Sequence, residues 1–421
     1  MKLSIGTTVR LTNGKTCVVK SELGEGGQGV VYRVSCEGSD YALKWYTKKY
    51  PNTFRDNLEQ NVKLGAPAPN FIWPLAVTEF QNDSFGYLMK IRPEGYYEMS
   101  EFLLNDVRFE TPLAIFNACL QIVTAFQKLH ALGPKYQDMN DGNFFINPKT
   151  GDILVCDNDN VAPFNTGIWG KAGYMAPEIV EHKSMPTVYS DYFSMAVCLF
   201  IIIYGNRPFE GAWYLSCPLD NDPKMSQKLF GYDAIFIMDP TNDKNRPVPG
   251  IHVSVIKRWP LWPRILREAF CKAFSQEAIR NPQKRLIDKQ WTSILLQARS
   301  QYVKCPSCGK YTFINSIESK QCVLCSRRLD YPVLKSGHYS IPIVDGQKIY
   351  ACMIGITSNL DEIIGSVETR GGEVGIVNRS SKIWTVTMPS GQFRNVEPGK
   401  GLPAKQGFKI RFGQNETAEI I

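Results

Sequence analysis

The chain has 421 residues, 43% of them apolar and 21% charged, with a formal net charge of +8. This composition excludes a disordered chain, and the scattered Lys and Arg residues exclude an extended nucleic-acid-binding tail. The length predicts two or three folded units, and the lack of a signal-peptide pattern or of an apolar run of membrane-spanning length predicts a cytoplasmic protein without a membrane partner.

Strand patterns dominate the first 92 residues. Alternating Val and Tyr residues predict strands within residues 16–34, 41–46, 71–77 and 85–91. One helix is predicted at 53–64. From residue 98 onward apolar residues recur at helical spacing, most clearly over 113–129. A strand-rich part therefore precedes a helix-rich part, which is an α+β arrangement.

A glycine-rich segment lies between two of the predicted strands. Its residues Gly24, Gly26 and Gly29 would let the backbone approach phosphate groups and point amides at them. Glycine-rich hairpins without any ligand are also common. Fifteen residues later stands Lys44, which either reaches nucleotide phosphates or is a solvated lysine of an edge strand.

A third pattern decides between these alternatives. Asp138 is followed five residues later by Asn143, and Asp157 comes after a short apolar strand. Here the chain resembles the protein kinase superfamily, in particular its bacterial eukaryotic-like members. The resemblance implies that Asp138 orients the acceptor hydroxyl and that Asn143 and Asp157 hold magnesium. It also implies that ATP is bound by Gly24, Gly26, Gly29, Val31, Ala42 and Lys44.

Further motifs follow in the order of the family. They are Ala176-Pro-Glu178, Asp191, Arg207 and the late Arg285. The resemblance implies a bilobal kinase fold over residues 1–300, with lobes at 1–92 and 93–300, and a buried Glu178–Arg285 ion pair. It also implies Mg-dependent transfer from ATP to a hydroxyl of a protein substrate, with Ser or Thr as the expected acceptor.

The helix at 53–64 should provide the acidic partner of Lys44. We choose Glu59 for this role, with Asp56 as the nearby alternative. Asp159 stands where the family has glycine, and it either adds a second carboxylate near the metals or caps a turn.

Two other departures concern the residues around Asp138. The family's His-Arg is replaced by Tyr136 and Gln137, so a phosphorylated activation segment lacks its usual partner and activity should not depend on such phosphorylation. The family's lysine after Asp138 is Asn140, while Lys171 replaces a threonine. Lys171 is therefore expected to reach Asp138 and the transferred phosphoryl group, or else to be a mobile lysine in water.

Four of the twelve cysteines form two CxxC pairs separated by thirteen residues. They are Cys305, Cys308, Cys322 and Cys325. This spacing predicts one structural zinc ion in a ribbon over residues 301–331, with two disulfides as the alternative. The other eight cysteines are single in the sequence and are predicted to be mostly buried apolar residues.

Residues 332–421 predict an all-β sandwich. Their end weakly resembles forkhead-associated domains, although the phosphothreonine-binding residues of that family are not found. Residues 378–381 either mimic part of that site or form a plain turn. The expected role is protein contact.

Two other functions stay open. One is a pseudokinase scaffold that binds nucleotide without turnover, which the retained Lys44 and Asp138 argue against. The other is a small-molecule kinase, which the segment ending at Glu178 disfavours. Kinases of this kind often work beside a phosphatase that reverses them, but the sequence identifies no such partner.

Overall fold

The computed structural model describes residues 2–81, 83–167, 170–218, 223–314 and 321–421. It contains two compact units. The first unit comprises Met1–His252 and Cys271–Lys289, and the second unit comprises Val253–Phe270 and Gln290–Ile421. In these described ranges, the helices are all too short or too polar to cross a membrane.

The strands fall into an amino-terminal and a carboxy-terminal group. The first group is β1 Thr8–Arg10, β2 Thr16–Glu25, β3 Gly29–Cys36, β4 Ser39–Tyr46, β5 Ala76–Val77, β6 Gly86–Met89, β7 Tyr97–Glu98, β8 Phe144–Ile146 and β9 Ile153–Val155. The second group is β10 Tyr302–Lys304, β11 Tyr311–Phe313, β12 Val333–Ser336, β13 Tyr339–Pro342, β14 Lys348–Tyr350, β15 Ile363–Arg370, β16 Glu373–Asn378, β17 Trp384–Thr387, β18 Phe393–Val396, β19 Gly401–Pro403, β20 Lys409–Arg411 and β21 Thr417–Ile420.

Helices occupy most of the region between these groups. They are α1 Asn52–Leu64, α2 Met99–Leu104, α3 Pro112–Ala131, α4 Pro177–Val180, α5 Val188–Tyr204, α6 Ala212–Ser216, α7 Pro223–Phe230, α8 Val253–Arg258, α9 Arg264–Ala273, α10 Gln276–Arg280, α11 Asp288–Ser300 and α12 Ala351–Ile354. The predicted fold class is confirmed, since a β-rich part and a helical lobe are followed by all-β sheets.

The first unit begins with a six-stranded sheet in the order β1-β2-β3-β4-β6-β5. Alternate residues of a strand point to opposite faces. On β4, Leu43 and Trp45 enter one hydrophobic cluster, while Ala42 and Tyr46 enter the other, which includes Phe54 of α1. Lys44 lies two residues from both Ala42 and Tyr46, so its side chain points to the same face, which α1 covers.

One expectation about the cysteines is corrected in this sheet. Cys17 on β2 and Cys36 on β3 are joined in a disulfide, although the sequence predicted isolated thiols. The two residues are partners in the β2–β3 register, so the strand pairing brings their side chains together. Both are buried, as predicted.

The helical lobe is centred on α3 and α5. The Thr111 hydroxyl caps α3 by accepting the Ala114 N–H at 3.2 Å, and a proline occupies its first turn. A capping box at Thr187 starts α5, and Gly205 in the left-handed region ends it. Between residues 211 and 255 lie α6, α7 and the start of α8, helices of only five to eight residues that leave little periodicity in the sequence.

In the second unit, β10 pairs with β11, and two further antiparallel sheets follow. These have the strand orders β13-β12-β21-β20-β17-β18 and β14-β15-β16-β19. The Trp384 ring of the first sheet packs on Gly365 of the second, where a Cβ would lie only 3.0 Å from the ring. Most of α11 lies in this unit, where the Gln297 amide exchanges hydrogen bonds with the backbone of Ser340.

Candidate active site

The glycine-rich hairpin joins β2 to β3 above Lys44. The Gly26 N–H donates to the Gly29 carbonyl at 2.9 Å. A Cβ at Gly29 would overlap the Trp45 carbonyl oxygen, whereas Gly24 and Gly26 border open space. Gly29 therefore allows β3 to approach β4 closely, and the other two glycines leave the hairpin tip clear for a ligand.

Lys44 is almost completely buried, at 4% exposure. It pairs with Val31 across the sheet, and Ala42 precedes it on the same face. Its ammonium lies 2.6 Å from Gln28 Oε1, 2.9 Å from Asp159 Oδ2 and 3.3 Å from Asp157 Oδ1. Burial lowers the pKa of Lys44, but Asp159 first and Asp157 second raise it well above its usual range. Lys44 therefore stays charged.

The expected ion pair between Lys44 and Glu59 is corrected by the structure. The Glu59 carboxylate lies 2.7 Å from the Arg55 guanidinium, one turn earlier on α1. The inward positions of the helix are taken by Asn57 and Asn61, whose side-chain amides both donate to the Val161 carbonyl at 2.9 Å. Glu59 therefore lies on a different side of the helix from these inward residues and does not face Lys44.

The loop before β8 carries Asp138. Its carboxylate accepts a hydrogen bond from Asn140 Nδ2 at 2.9 Å, and its carbonyl accepts one from Asn143 Nδ2 at 2.6 Å. Burial raises the pKa of Asp138 to about 6; the Asn140 amide opposes this, and Asp157 and Asp159 add to it. Such a carboxylate is ionised near neutral pH and is still basic enough to accept a proton.

Asn143 and Asp157 come together because β8 and β9 form a hairpin. The Cys156 N–H donates to the Asn143 carbonyl at 3.0 Å, and Asp157 follows with φ of 54°. Because the Asn143 amide nitrogen is engaged with Asp138, its amide oxygen is the ligand atom that remains. Asp157 offers a carboxylate whose side chain is 38% exposed. The hairpin thus places two residues with hard oxygen donors, the ligand type that suits Mg²⁺, next to each other along its backbone.

Gln137 links the loop of Asp138 to the activation segment, which is the part of the chain between Asp157 and Glu178. Its side-chain nitrogen donates to the carbonyls of Asn160 at 3.1 Å and Phe164 at 2.9 Å, and its side-chain oxygen accepts the Thr166 N–H at 3.2 Å. These are neutral hydrogen bonds to backbone groups. Gln137 thus holds the activation segment from the position at which the kinase pattern has arginine.

Asp191 holds the same loop from the side of α5. Its carboxylate accepts the N–H groups of Tyr136 at 2.7 Å and Gln137 at 3.1 Å. His130 lies between Asp191 and Asp288, at 3.1 and 3.3 Å. Burial lowers the pKa of His130, but its hydrogen bonds to these two carboxylates raise it to about 9.

Lys171 contacts a different aspartate from the one expected. Its ammonium lies 2.6 Å from Asp141 Oδ1, so the predicted contact with Asp138 is not formed in this structure. Asp141 is buried at 2% exposure and also pairs with Arg207 at 3.1 Å. A buried carboxylate needs cationic partners, which explains why Asp141 attracts both. Lys171 remains near the site, because a Cβ on the adjacent Gly170 would lie 3.6 Å from Asp138 Oδ1.

The predicted Glu178–Arg285 ion pair is present. The guanidinium donates to both carboxylate oxygens, at 2.8 and 2.6 Å. The pair is almost completely buried. Arg285 also donates to the carbonyls of Tyr189 at 3.0 Å and Ala278 at 3.2 Å. It therefore joins the end of the activation segment to the last part of the first unit.

The four cysteines of the second unit form one cluster. Their sulfur atoms all lie within 4.8 Å of one another. The cysteines are free thiols rather than disulfides. The sulfurs of Cys305 and Cys325 are 3.8 Å apart, and those of Cys308 and Cys322 are 3.9 Å apart. Four thiol ligands at these separations are compatible with a tetrahedral zinc ion.

The segment 378–381 forms a turn. The buried Asn378 amide donates to the carbonyls of Lys382 at 2.8 Å and Val396 at 3.0 Å, and its oxygen accepts the Ser380 N–H at 2.9 Å. Ser380 in turn accepts the Trp384 indole N–H at 3.1 Å. These side chains hold the turn, as the plainer of the two sequence interpretations proposed.

Sequence reasoning missed several residues that the fold brings to Lys44 and Asp138. Gln28 contacts Lys44, and the Tyr46 hydroxyl contacts Asp159. Near Asp138, Asp141 pairs with Lys171, and His130 pairs with Asp191. Tyr46 had a readable signal, because a residue two positions after Lys44 on a strand shares its face. The others depend on tertiary contacts between distant segments.

Comparisons with known proteins give a consistent result. A family model described as "Protein kinase domain" matches residues 17–227, just over half of the chain. G protein-coupled receptor kinase 4 of Mus musculus is 25% identical over 264 residues, covering 58% of this chain and 45% of that protein. Serine/threonine-protein kinase sck2 of Schizosaccharomyces pombe is 28% identical over 204 residues, covering 44% and 30%. The chain thus spans less than half the length of these relatives.

Among solved structures, the PknI kinase domain of Mycobacterium tuberculosis aligns with a TM-score of 0.46. It is 16% identical in sequence. The alignment covers 71% of this chain and 100% of that domain.

Proposed function

The chain belongs to the protein kinase family, and we propose that it transfers the terminal phosphoryl group of ATP to Ser or Thr hydroxyls of a protein substrate. One observation carries the proposal: the Lys44–Asp157 contact and the Asn143–Asp138 contact lie next to each other at the β8–β9 hairpin, where the Cys156 N–H donates to the Asn143 carbonyl at 3.0 Å. Lys44 meets Asp157 at 3.3 Å, and Asn143 meets Asp138 at 2.6 Å. A scaffold has no chemical need for all four groups.

The residues of the site have separate tasks in this reaction. Lys44 stabilises negative charge on the phosphates, and Gly24 and Gly26 leave the hairpin tip clear for them. The Asp138 carboxylate orients the acceptor hydroxyl and accepts its proton. Asn143 and Asp157 are the residues that would hold Mg²⁺, which neutralises phosphate charge when bound.

The choice of Ser or Thr as acceptor rests on the relatives. One of them is named a serine/threonine-protein kinase, and the matching part of this chain includes the same domain.

The second unit has a supporting role in the proposal. Its four-cysteine cluster holds one structural zinc ion, because all four ligand positions are filled by protein sulfur. Its two β-sheets form a protein-contact module that recruits partners, a reversing phosphatase being one candidate partner.

The test is an autophosphorylation assay with phosphosite mapping, run on the wild type and on Asp157→Ala. We expect phosphate on Ser and Thr side chains in the wild type and none in the variant. Magnesium-dependent ATP binding without any transfer would overturn the proposal in favour of a nucleotide-binding scaffold. Phosphate found on Tyr alone would contradict the stated acceptor.

A further inference from the structure

Lys44 has two carboxylate neighbours, and they differ in what else they can do. Asp157 has a side chain that is 38% exposed and belongs to the proposed magnesium site. Asp159 is fully buried and lies closer, at 2.9 Å against 3.3 Å. When Asp157 serves the metal, Asp159 is the carboxylate that remains committed to Lys44.

Asp159 is itself held in place from two sides. The Tyr46 hydroxyl donates to the same Oδ2 atom at 2.6 Å, so two residues of one face of β4 converge on one carboxylate oxygen. The turn Asn158–Asn160 that carries Asp159 is anchored by the Asn158 amide, which donates to the carbonyls of Ile72 at 2.8 Å and Val155 at 2.9 Å. A buried carboxylate fixed in this way can orient an ammonium group.

Helix α1 supports this turn without supplying a carboxylate to Lys44. Its inward amides, those of Asn57 and Asn61, bond the Val161 carbonyl two residues after Asp159. Its acidic candidate, Glu59, pairs with Arg55. The helix thus contacts the segment that carries the charge partner of Lys44.

From these contacts we propose that Asp159 is the positioning residue that keeps Lys44 aligned for phosphoryl transfer, in the place of a glutamate on α1. This inference rests on the proposed kinase activity. Asp159 occurs where the family has glycine, but it does not have a positive φ, whereas its neighbour Asp157 does. The turn therefore accepts a side chain here, and that side chain replaces the missing contact from the helix. Alignment of Lys44 then depends on the turn after β9 rather than on movement of α1.

The experiment is a double-mutant cycle between Lys44→Met and Asp159→Asn, with Glu59→Gln as the comparison variant. Asp159→Asn keeps the shape of the side chain and removes its charge. We expect it to reduce turnover by about 10- to 100-fold, less than the roughly 10²- to 10³-fold loss typical of a group that contacts the transition state directly, because Asp159 acts through Lys44. In the Lys44→Met background, Asp159→Asn should lower turnover by less than about twofold, because a residue that acts through Lys44 has nothing left to align. Glu59→Gln should stay within about twofold of the wild type.

Three results of the double-mutant cycle and its comparison variant would overturn the inference. They are near-normal turnover of Asp159→Asn, a full loss that persists without Lys44, and a loss in Glu59→Gln as large as that in Asp159→Asn. A rate that returns to normal at saturating Mg²⁺ would also overturn it, since Asp159 would then be a metal ligand. If Asp159→Asn does not fold, Asp159→Gly, which restores the family's residue, replaces it in the cycle.

The four proteins of the double-mutant cycle, which are the wild type, the two single variants and the double variant, are compared for Mg-ATP affinity by calorimetry. This measurement needs no turnover. Lys44→Met and Asp159→Asn should weaken binding to a similar extent, and the double variant should bind no worse than either. If the wild type binds Mg-ATP but transfers no phosphate, the proposed function fails while the binding cycle still decides the role of Asp159. Additive losses in affinity would contradict that role.

Discussion

Replacing Glu178 by Gln should destabilise the first unit strongly. The Glu178–Arg285 side chains are only 6% and 2% exposed, and two parallel hydrogen bonds of 2.8 and 2.6 Å join them. Gln can accept only one of these bonds with its oxygen, and it leaves the buried guanidinium without a counter-charge. Removing one partner of such a pair costs about 3–5 kcal/mol.

For a unit of this size, each kcal/mol lowers Tm by about 2–4 °C, so a loss of about 3–5 kcal/mol should lower Tm by roughly 6–20 °C. Calorimetry of the full chain measures it. The matched control is Asp233→Asn, which breaks an ion pair of similar length, 2.9 Å to Arg280, whose side chains are 74% and 56% exposed. Exposed pairs contribute about 0–1 kcal/mol, so the Tm of this variant should fall by no more than about 4 °C. Equal, small shifts in both variants would refute the argument from burial.

Four further outcomes can be checked separately. Metal analysis should find one zinc per chain, and Cys305→Ser should lower the zinc content and expose residues 301–331 to protease; full protease resistance without zinc would contradict the assignment. The pKa of His130 rises from 6.5 to about 9 on folding, so His130 should add up to about 3 kcal/mol to the free energy of unfolding below pH 6.5. This contribution should be lost as the pH rises to 9. Urea titrations across this range should show the decline in the wild type but not in His130→Gln. Thr166→Ala should keep near-normal turnover, because neutral hydrogen bonds hold the activation segment, and abolished activity with intact folding would count against this. Lys171→Met should reduce turnover by less than about tenfold, since Arg207 keeps the shared aspartate paired, and a 100-fold loss with unchanged ATP affinity would instead favour direct action on the phosphoryl group.

The fold was predictable where the periodic patterns are long. Strands β2, β3 and β4 of the first sheet and helices α3 and α5 have enough residues for alternation or helical spacing to be read. The short helices α6 and α7 do not, and most of α11 lies in the second unit although its pattern continues the helical series of the kinase domain. Compactness depends on long-range contacts that local periodicity does not record.

The choice of Glu59 shows where sequence reasoning about the site stopped. The buried positions of α1 are Phe54, Asn57, Leu58 and Asn61, a helical stripe that was readable from the spacing. Glu59 lies off that stripe, and Arg55 one turn before it is a typical partner for an exposed glutamate. Helix phase, rather than the acidic chemistry of a side chain, decides which residues of α1 face the site.

The role of Asp159 needed the structure. Its spacing from Lys44, 115 residues in sequence, carries no local signal, and only the pairing of β8 with β9 brings the turn beneath β4. Lys171 is similar, because which aspartate it contacts depends on the path of the activation segment. In both cases the residue types were noticed and their partners were not.

The most direct test of the account measures ADP and phosphoprotein in the same samples, with labelled ATP, for the wild type and Asp138→Asn. We predict that the wild type forms both products in equal amounts and only with Mg²⁺, and that Asp138→Asn forms neither while still binding Mg-ATP. Equal rates in the two proteins, or ATP binding by the wild type without either product, would contradict a protein kinase built on this site.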